Sequence, residues 1–329
     1  MCLCRLSKAW DRDCAGASLR RTLSLVWMRP TLESVLEGYF IKEVLLAEIG
    51  RPVRTIVVEQ NAPVPFLNDA LVVSFGPNLA NYLKQAKANG FRNIGLLHMA
   101  DEFGDHDRAF YRDADYVLRN YWFEHALVQP HPESLGVMWI PNGYRTGVGP
   151  IMPQTMLATP ERKIMGFFSG VLEGRTRLEE RQQMAQAVRD AKLPFLVAGT
   201  AGFGKGLGPV AYAAYLCMTR FALVPAGNSP ETIRLYEALE AGAIPIMVRS
   251  PFVSAPDALD NPPFLLIDSW AELAAAYAPY ADADAPGVMA EIEAKRLAVL
   301  AWWQDFKAKQ QRRIRELIDR SFARTHGEP

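Results

Sequence analysis

The densest run of chemistry-bearing residues reads Phe221-Ala-Leu-Val-Pro-Ala-Gly-Asn-Ser-Pro-Glu-Thr-Ile-Arg-Leu-Tyr-Glu-Ala-Leu-Glu-Ala-Gly-Ala-Ile-Pro-Ile-Met-Val248. An apolar strand ends at Pro225, and Gly227 supplies a permissive turn. Ser229 is placed to cap a helix, with Pro230 at the first helical position, where its missing N–H costs nothing. The free N–H groups at such a helix start, aimed from a strand's carboxyl end, make an anion site suited to a diphosphate. Down the helix Glu231, Arg234 and Glu237 recur every three residues, while Ile233, Tyr236 and Leu239 face the other way. A carboxylate two turns along, at Glu237, suits the paired hydroxyls of a ribose. The bland alternative is a well-capped helix with a solvated charged face.

Other patterns carry less. Gly199-Thr-Ala-Gly-Phe-Gly-Lys-Gly206 follows a strand and precedes a helix like a phosphate-binding P-loop, but Gly206 replaces the hydroxyl that would hold magnesium. It reads as a surface turn whose glycines and Lys205 are within reach of a phosphate. Asp-x-Asp occurs at Asp11/Asp13, Asp105/Asp107, Asp113/Asp115 and Asp282/Asp284, and that repetition deprives the motif of meaning. His125 and His131 are too far apart for a zinc pair, and no metal is expected in the chemistry. Tyr121-Trp122-Phe123, Trp139 and Trp302-Trp303 suit sugar rings or, more commonly, core packing.

The elements that must position these groups alternate. Strands are expected at Thr55–Val58, Leu71–Phe75, Ile94–His98, Tyr116–Arg119 and Val137–Ile140, with helices at Leu32–Ile49 and Asn78–Ala88. A second series follows, with strands at Ile164–Ser169, Phe195–Ala198, Phe221–Val224, Ile244–Val248 and Phe264–Ile267. Its helices are Arg175–Ala191, Val210–Met218 and Pro230–Ala241. Such alternation predicts parallel sheets covered by helices, with ligands at the carboxyl ends of strands. Pro141, Gly143, Gly147, Gly149, Pro150, Pro153 and Pro160 place a boundary near residue 155. The expected units are a basic, poorly ordered leader over 1–30, a Rossmann-like domain over 31–155, a second over 156–285, and a C-terminal helix over 286–329 that braces the two.

Composition agrees with a globular chain of about two domains: 329 residues, 50% hydrophobic and 22% charged. Lys+Arg and Asp+Glu both number 36, and this balance argues against a nucleic-acid partner. Four cysteines, three of them in the first 14 residues, form no disulfide framework and fit a reducing compartment. The leader's Leu25-Val26-Trp27-Met28 is too short for a signal-peptide core, and no run is long enough for a transmembrane segment.

The Phe221–Val248 segment resembles the signature of exostosin-like inverting glycosyltransferases, closest to the ribitol xylosyltransferase branch. The likeness lies in Pro-x-Gly-Asn-Ser-Pro-Glu-Thr, Tyr-Glu-Ala-Leu-Glu-x-Gly and Ile-Pro-Ile. Three further segments are similar: Arg162-Lys-Ile-Met-Gly-Phe-Phe-Ser-Gly170 with Gly174-Arg-Thr-Arg177, Leu97-His-Met-Ala-Asp-Glu-Phe103, and Tyr116-Val-Leu-Arg-Asn-Tyr-Trp122. The resemblance implies a GT-B fold, two Rossmann-like α/β domains facing a cleft with a long C-terminal helix, the 31–155 domain on the acceptor side and the 156–285 domain binding the nucleotide sugar. It implies transfer of a hexose or pentose from a nucleotide sugar, expected to be a UDP-sugar, to a carbohydrate acceptor, with no cofactor beyond that co-substrate.

Carried over, Gly170, Asn228, Ser229, Pro230, Glu231, Thr232 and Arg234 line the donor site, Glu237 holds the ribose, and Arg175 and Arg177 meet the leaving diphosphate. Retaining GT-B enzymes often carry a glutamate eight positions before the second; here that position is Ser229, which favours inversion. Inversion needs one general base from the N-terminal domain. Asp101 or Glu102 is the expected base with His98 in reserve, although His98 can equally pack and Asp101 cap a turn. The alternatives are a nucleotide-sugar epimerase of the same fold and a non-catalytic nucleotide-sugar-binding protein. A cytoplasmic location is expected, or the Golgi lumen if the natural chain carries an anchor.

Overall fold

The computed structural model describes residues 20–28, 36–59, 62–75, 79–172, 178–202, 204–283 and 285–327. Two parallel sheets divide the chain. The first holds β1 (Leu23–Met28), β2 (Val53–Val58), β3 (Ala70–Ser74), β4 (Ile94–His98), β5 (Tyr116–Arg119) and β6 (Val137–Trp139), in the order β2-β1-β3-β4-β5-β6. The second holds β7 (Ile164–Val171), β8 (Phe195–Thr200), β9 (Thr219–Leu223), β10 (Ile244–Val248) and β11 (Leu265–Ile267), in the order β11-β10-β9-β7-β8. The helices are α1 (Ala80–Ala88), α2 (Glu179–Asp190), α3 (Pro209–Cys217), α4 (Ile233–Glu240), α5 (Pro251–Ser254), α6 (Leu273–Tyr277) and α7 (Pro286–His326). Counted within its own domain, each sheet runs outward from its first strand in the same way, so each has one point where the winding reverses: between β1 and β3, and between β7 and β9. Ligands of doubly wound sheets bind at such points, where the diverging connections leave a crevice.

Both faces of the first sheet are buried, as parallel strands require. Leu25 and Trp27 alternate with Val26: the first two join the large core shared with the second domain, and Val26 packs with Val72, Leu96 and Val117 under α1. The leader expectation therefore fails from Leu23 onward. The Leu-Ser-Leu-Val-Trp-Met run is a strand hydrogen-bonded on both sides, and its brevity, which disqualified it as a signal core, is what a strand needs. Residues 1–19 lie outside the described residues. Of the helix expected over Leu32–Ile49, residues 29–35 are also outside, and Phe40–Leu45 forms a π-helical turn.

The C-terminal helix α7 is 41 residues long, about 60 Å at 1.5 Å per residue. It begins against the second domain, where Glu293 accepts from the Thr159 N–H and hydroxyl at 2.9 and 2.6 Å. At mid-length Trp303 donates its indole N–H to Glu240 (2.8 Å) and rests between Phe40 of the first domain and Tyr236 of the second. Further on, Gln311 donates to the Val44 carbonyl, Ser321 to Asn93, and His326 pairs with Asp69. Arg312, Arg315 and Arg320 of α7 are exposed, Arg296 is buried against Glu293, and Ile292, Val299, Trp303, Phe306, Ile314 and Phe322 are buried. No helix among the described residues is long and apolar enough to cross a membrane. The architecture is α/β: two Rossmann-like domains facing a cleft, with a long C-terminal helix.

Trp303 is fully buried at the junction of both domains and α7. Trp303→Ala is expected to lower the unfolding free energy by about 3–5 kcal/mol, read as a shift of the urea midpoint.

Candidate functional site

The carboxyl ends of β7 and β8 and one face of α4 open onto a cavity lined by Arg145, Gly170, Thr200, Gly206, Arg234 and Glu237. Arg234, in the first turn of α4, donates to the Ser169 carbonyl at 2.9 Å, and its guanidinium occupies the space that a side chain at Gly170 would fill, 2.3 Å from a built Cβ. Arg181, on α2, bridges the Val171 and Ala226 carbonyls at 3.3 Å each and fills the space over Gly227 in the same manner. Two glycines at two strand ends thus make room for two guanidinium groups. Burial, reinforced by neighbouring Arg234, pushes Arg181 down to about 10. Positive charge concentrated this way favours an anionic ligand.

Glu237 is buried and ion-paired with Arg145, which reaches across from the first domain at 2.5 Å and lies over the Tyr212 ring. Burial raises its carboxyl above the usual range, against the pull of Arg145. The Gly199–Gly206 turn, read from sequence as a surface turn, lines the cavity through Gly202, Gly204 and Gly206, while Lys205 is exposed. Arg175 and Arg177 lie outside the described residues.

The structure changes the start of α4. Its N-cap is Thr232 rather than Ser229, and Pro230 is exposed in the preceding extended turn. The Ser229 hydroxyl instead accepts from the Glu231 N–H at 3.1 Å. The reason is Glu231, whose side chain leaves the expected donor face and enters the domain interface. One of its oxygens accepts from the Trp122 N–H and the Trp139 indole N–H, the other from the Asn142 N–H and the Tyr236 hydroxyl, each at 2.8 Å. Burial raises its pKa while these donors oppose the rise. Thr232 has a buried hydroxyl with no hydrogen-bond partner among the described residues. Asn228 donates to Glu102 across the cleft at 2.7 Å.

Opposite stand the three expected bases, and two are locked. Asp101 accepts from the Asp105 and His106 N–H groups on one oxygen and from Arg119 at 3.0 Å on the other. Burial works against its ionisation, yet the His106 N–H and Arg119 outweigh it and hold the carboxyl below the usual range. His98 is buried between Tyr111 and His106, bonded through both ring nitrogens. Burial, then Arg119, pushes it down to about 3, so it stays neutral. His98, Asp101 and His106 form the group among the described residues whose ligand atoms approach within 4.8 Å of one another. Both Asp101 oxygens are already committed to donors, so the set works as a hydrogen-bonded brace. Glu102 is half-buried at the cleft, where it accepts from Asn228 and from the Tyr121 hydroxyl. The turns carrying these groups hold two non-glycine residues in the left-handed region, Ala100 (φ 69°) and Tyr121 (φ 54°). Asn120 secures the first by accepting from the Ala100 N–H at 3.0 Å.

Arg181 and Arg145 had no signal in the sequence: the former sits in an ordinary charged helix, the latter in a loop 92 residues from its partner. Residues 208–323 match the family model described as the RXYLT1 C-terminal domain, a span from the turn before α3 through β9, α4 and β10 into α7. No curated protein matches the chain. Among solved structures it is similar to a sucrose-phosphate synthase from Thermosynechococcus elongatus, at 14% identity over 91% of this chain and 99% of that one, TM-score 0.47. It is also similar to the K341M mutant of Thermobaculum terrenum O-GlcNAc transferase, at 13% identity over 91% of this chain and 68% of that one, TM-score 0.47.

Glu231→Gln is expected to destabilise the protein by about 2–3 kcal/mol, because its amide N–H₂ must face a backbone or indole donor; chemical unfolding at pH 7 measures it. A second expectation concerns pH. His98 is depressed in the fold, so the stability it contributes is complete above about pH 6.5 and lost as pH falls from there toward about 3. His98→Gln should flatten the unfolding free energy across that window by up to about 1.4 kcal/mol per pH unit relative to wild type.

Proposed function

We propose that the chain is an inverting glycosyltransferase that moves a sugar from a UDP-sugar to a hydroxyl of a glycan or other acceptor, without a metal requirement. The observation that carries this reading is the placement of Arg234 and Glu237 on the wall of one cavity at the carboxyl ends of β7 and β8, with Arg181 bound to the Val171 carbonyl beside it. The match of residues 208–323 to a family model supports it, since that span contains Arg234 and Glu237.

In this reading the two guanidinium groups face the diphosphate and stabilise the charge that grows on it as the glycosidic bond breaks. Arg145 holds one oxygen of Glu237, and the carboxylate meets the ribose hydroxyls. The unpartnered Thr232 hydroxyl at the start of α4 meets a ligand oxygen. The acceptor enters from the first domain, and its hydroxyl loses a proton to a carboxylate on that wall as it attacks the anomeric carbon. Asn228 and Glu102 join the walls, so closure and donor binding are linked.

Calorimetric titration of UDP, GDP, CMP and ATP without added metal tests the donor site. UDP should bind selectively, and Glu237→Ala and Gly170→Ala should each weaken it tenfold or more. In Gly170→Ala the new methyl displaces the flexible end of Arg234, so the thermal midpoint should change little. Binding of none of the four, or ATP binding that survives Glu237→Ala, overturns the reading. Turnover of a UDP-sugar into its epimer with no acceptor present would favour the epimerase alternative.

A further inference from the structure

We propose that Glu37 takes the proton from the acceptor hydroxyl in the transfer reaction proposed above, on which this inference rests. Glu37 belongs to the first domain, in the connection between β1 and β2. Its side chain is half-buried and shares the cleft with Glu237 of α4, Glu231 of the turn before α4, Glu102 of the turn after β4, and Tyr121 of the turn after β5. Glu37 therefore stands on the first-domain side of the cleft, near Glu237 of the donor cavity.

The backbone around Glu37 is held firmly. The Leu36 carbonyl accepts from the Thr146 N–H at 2.7 Å, and the Tyr39 N–H donates to the Thr146 hydroxyl at 3.2 Å. The Glu37 carbonyl accepts from Ile41 at 3.0 Å. Thr146 adjoins Arg145, which grips Glu237, so Glu37 and the donor pocket are tied through a single loop.

Its carboxylate is also uncommitted in a way that its rivals are not. Asp101 and His98 are saturated, and Glu102 accepts from Asn228 and Tyr121. The carboxylate of Glu37 accepts from its own N–H, and no lysine or arginine among the described residues pairs with it. Burial, then the carboxylates of Glu237, Glu102 and Glu231, push it up to about 7, where a general base is most effective. The step balances: the acceptor O–H proton passes to Glu37, the oxygen forms a bond to the anomeric carbon, and the carbon–oxygen bond to the diphosphate breaks with its electron pair leaving on UDP. Glu37 then returns the proton to solvent.

The test compares wild type, Glu37→Gln and Glu102→Gln. UDP affinity is measured by calorimetry, and UDP release is followed with UDP-glucose, UDP-galactose, UDP-xylose and UDP-N-acetylglucosamine, water serving as acceptor. Glu37→Gln should bind UDP within threefold of wild type while its kcat falls about 100- to 10,000-fold. In wild type the rate should fall as pH drops below about 7, because a protonated carboxyl accepts no proton. That acid limb should vanish in Glu37→Gln and persist in Glu102→Gln. A Glu37→Gln protein with intact UDP affinity and more than a tenth of the wild-type rate overturns the assignment, as does survival of the acid limb. Wild-type protein that fails to bind UDP overturns the donor-site reading itself. Wild type that binds UDP but releases it from none of the four sugars overturns the transfer reading, and the assignment with it.

Discussion

The Glu231 carboxylate lies in the seam between two sheets, and its oxygens take hydrogens from the ends of β5 and β6 and from α4. A charged carboxylate removed from water is costly unless its lone pairs are filled, and here all four hydrogen bonds are short. Because two of the donors are backbone N–H groups and a third is a buried indole, their positions cannot drift independently of the strands that carry them. Glu231 thus sets the distance and register of one domain on the other. The extended turn that carries it into the seam also delays the start of α4, which brings Thr232 rather than Ser229 to the cap.

From that register the remaining cross-cleft contacts follow. Arg145 meets Glu237, and Asn228 meets Glu102, both from loops at carboxyl ends of strands. Helix α7 fixes the arrangement from behind, with Glu240 accepting from Trp303 and Lys307 while its other oxygen accepts from the Ile151 N–H in the connection between the domains. Three glutamates of one short segment, Glu231, Glu237 and Glu240, therefore serve seam, cleft and helix. Arg145 on Glu237 and Asn228 on Glu102 bring one wall of the cleft from each domain, so neither domain forms the site alone.

Electrostatics divides the cleft. The second domain contributes guanidinium groups seated over Gly170 and Gly227, and the first contributes carboxylates, of which Asp101 is ion-paired with Arg119 and Glu102 accepts a hydrogen bond from Asn228. The His98–Asp101–His106 brace stiffens the turn that presents Glu102, together with the left-handed Ala100 held by Asn120. Residues that look catalytic by type are here mostly structural, because a polar side chain at a buried strand end must be satisfied before it can do anything else.

Much was legible in the linear chain. The alternation of apolar strands with amphipathic helices follows from local periodicity, which each segment carries in itself, and it gave most elements of both sheets to within a few residues. The segment from Phe221 to Val248 marked one wall of the cavity for the same reason: turn, helix and strand are contiguous, so the positions of Arg234 and Glu237 on one helix face depend only on helical spacing. Leu23–Met28 escaped because six residues carry too little pattern to distinguish a central strand from an apolar stretch in a basic leader. What the tertiary structure alone decided was which polar groups are used up. Glu231 and Glu237 share a helix-like spacing, yet one is consumed by donors 89 to 109 residues away and the other faces the cavity. Asp101 and Glu102 are neighbours in the chain, yet only the first meets Arg119. Hydrogen-bond partners are chosen by the packing of distant segments, and no local pattern encodes which lone pairs that packing will fill.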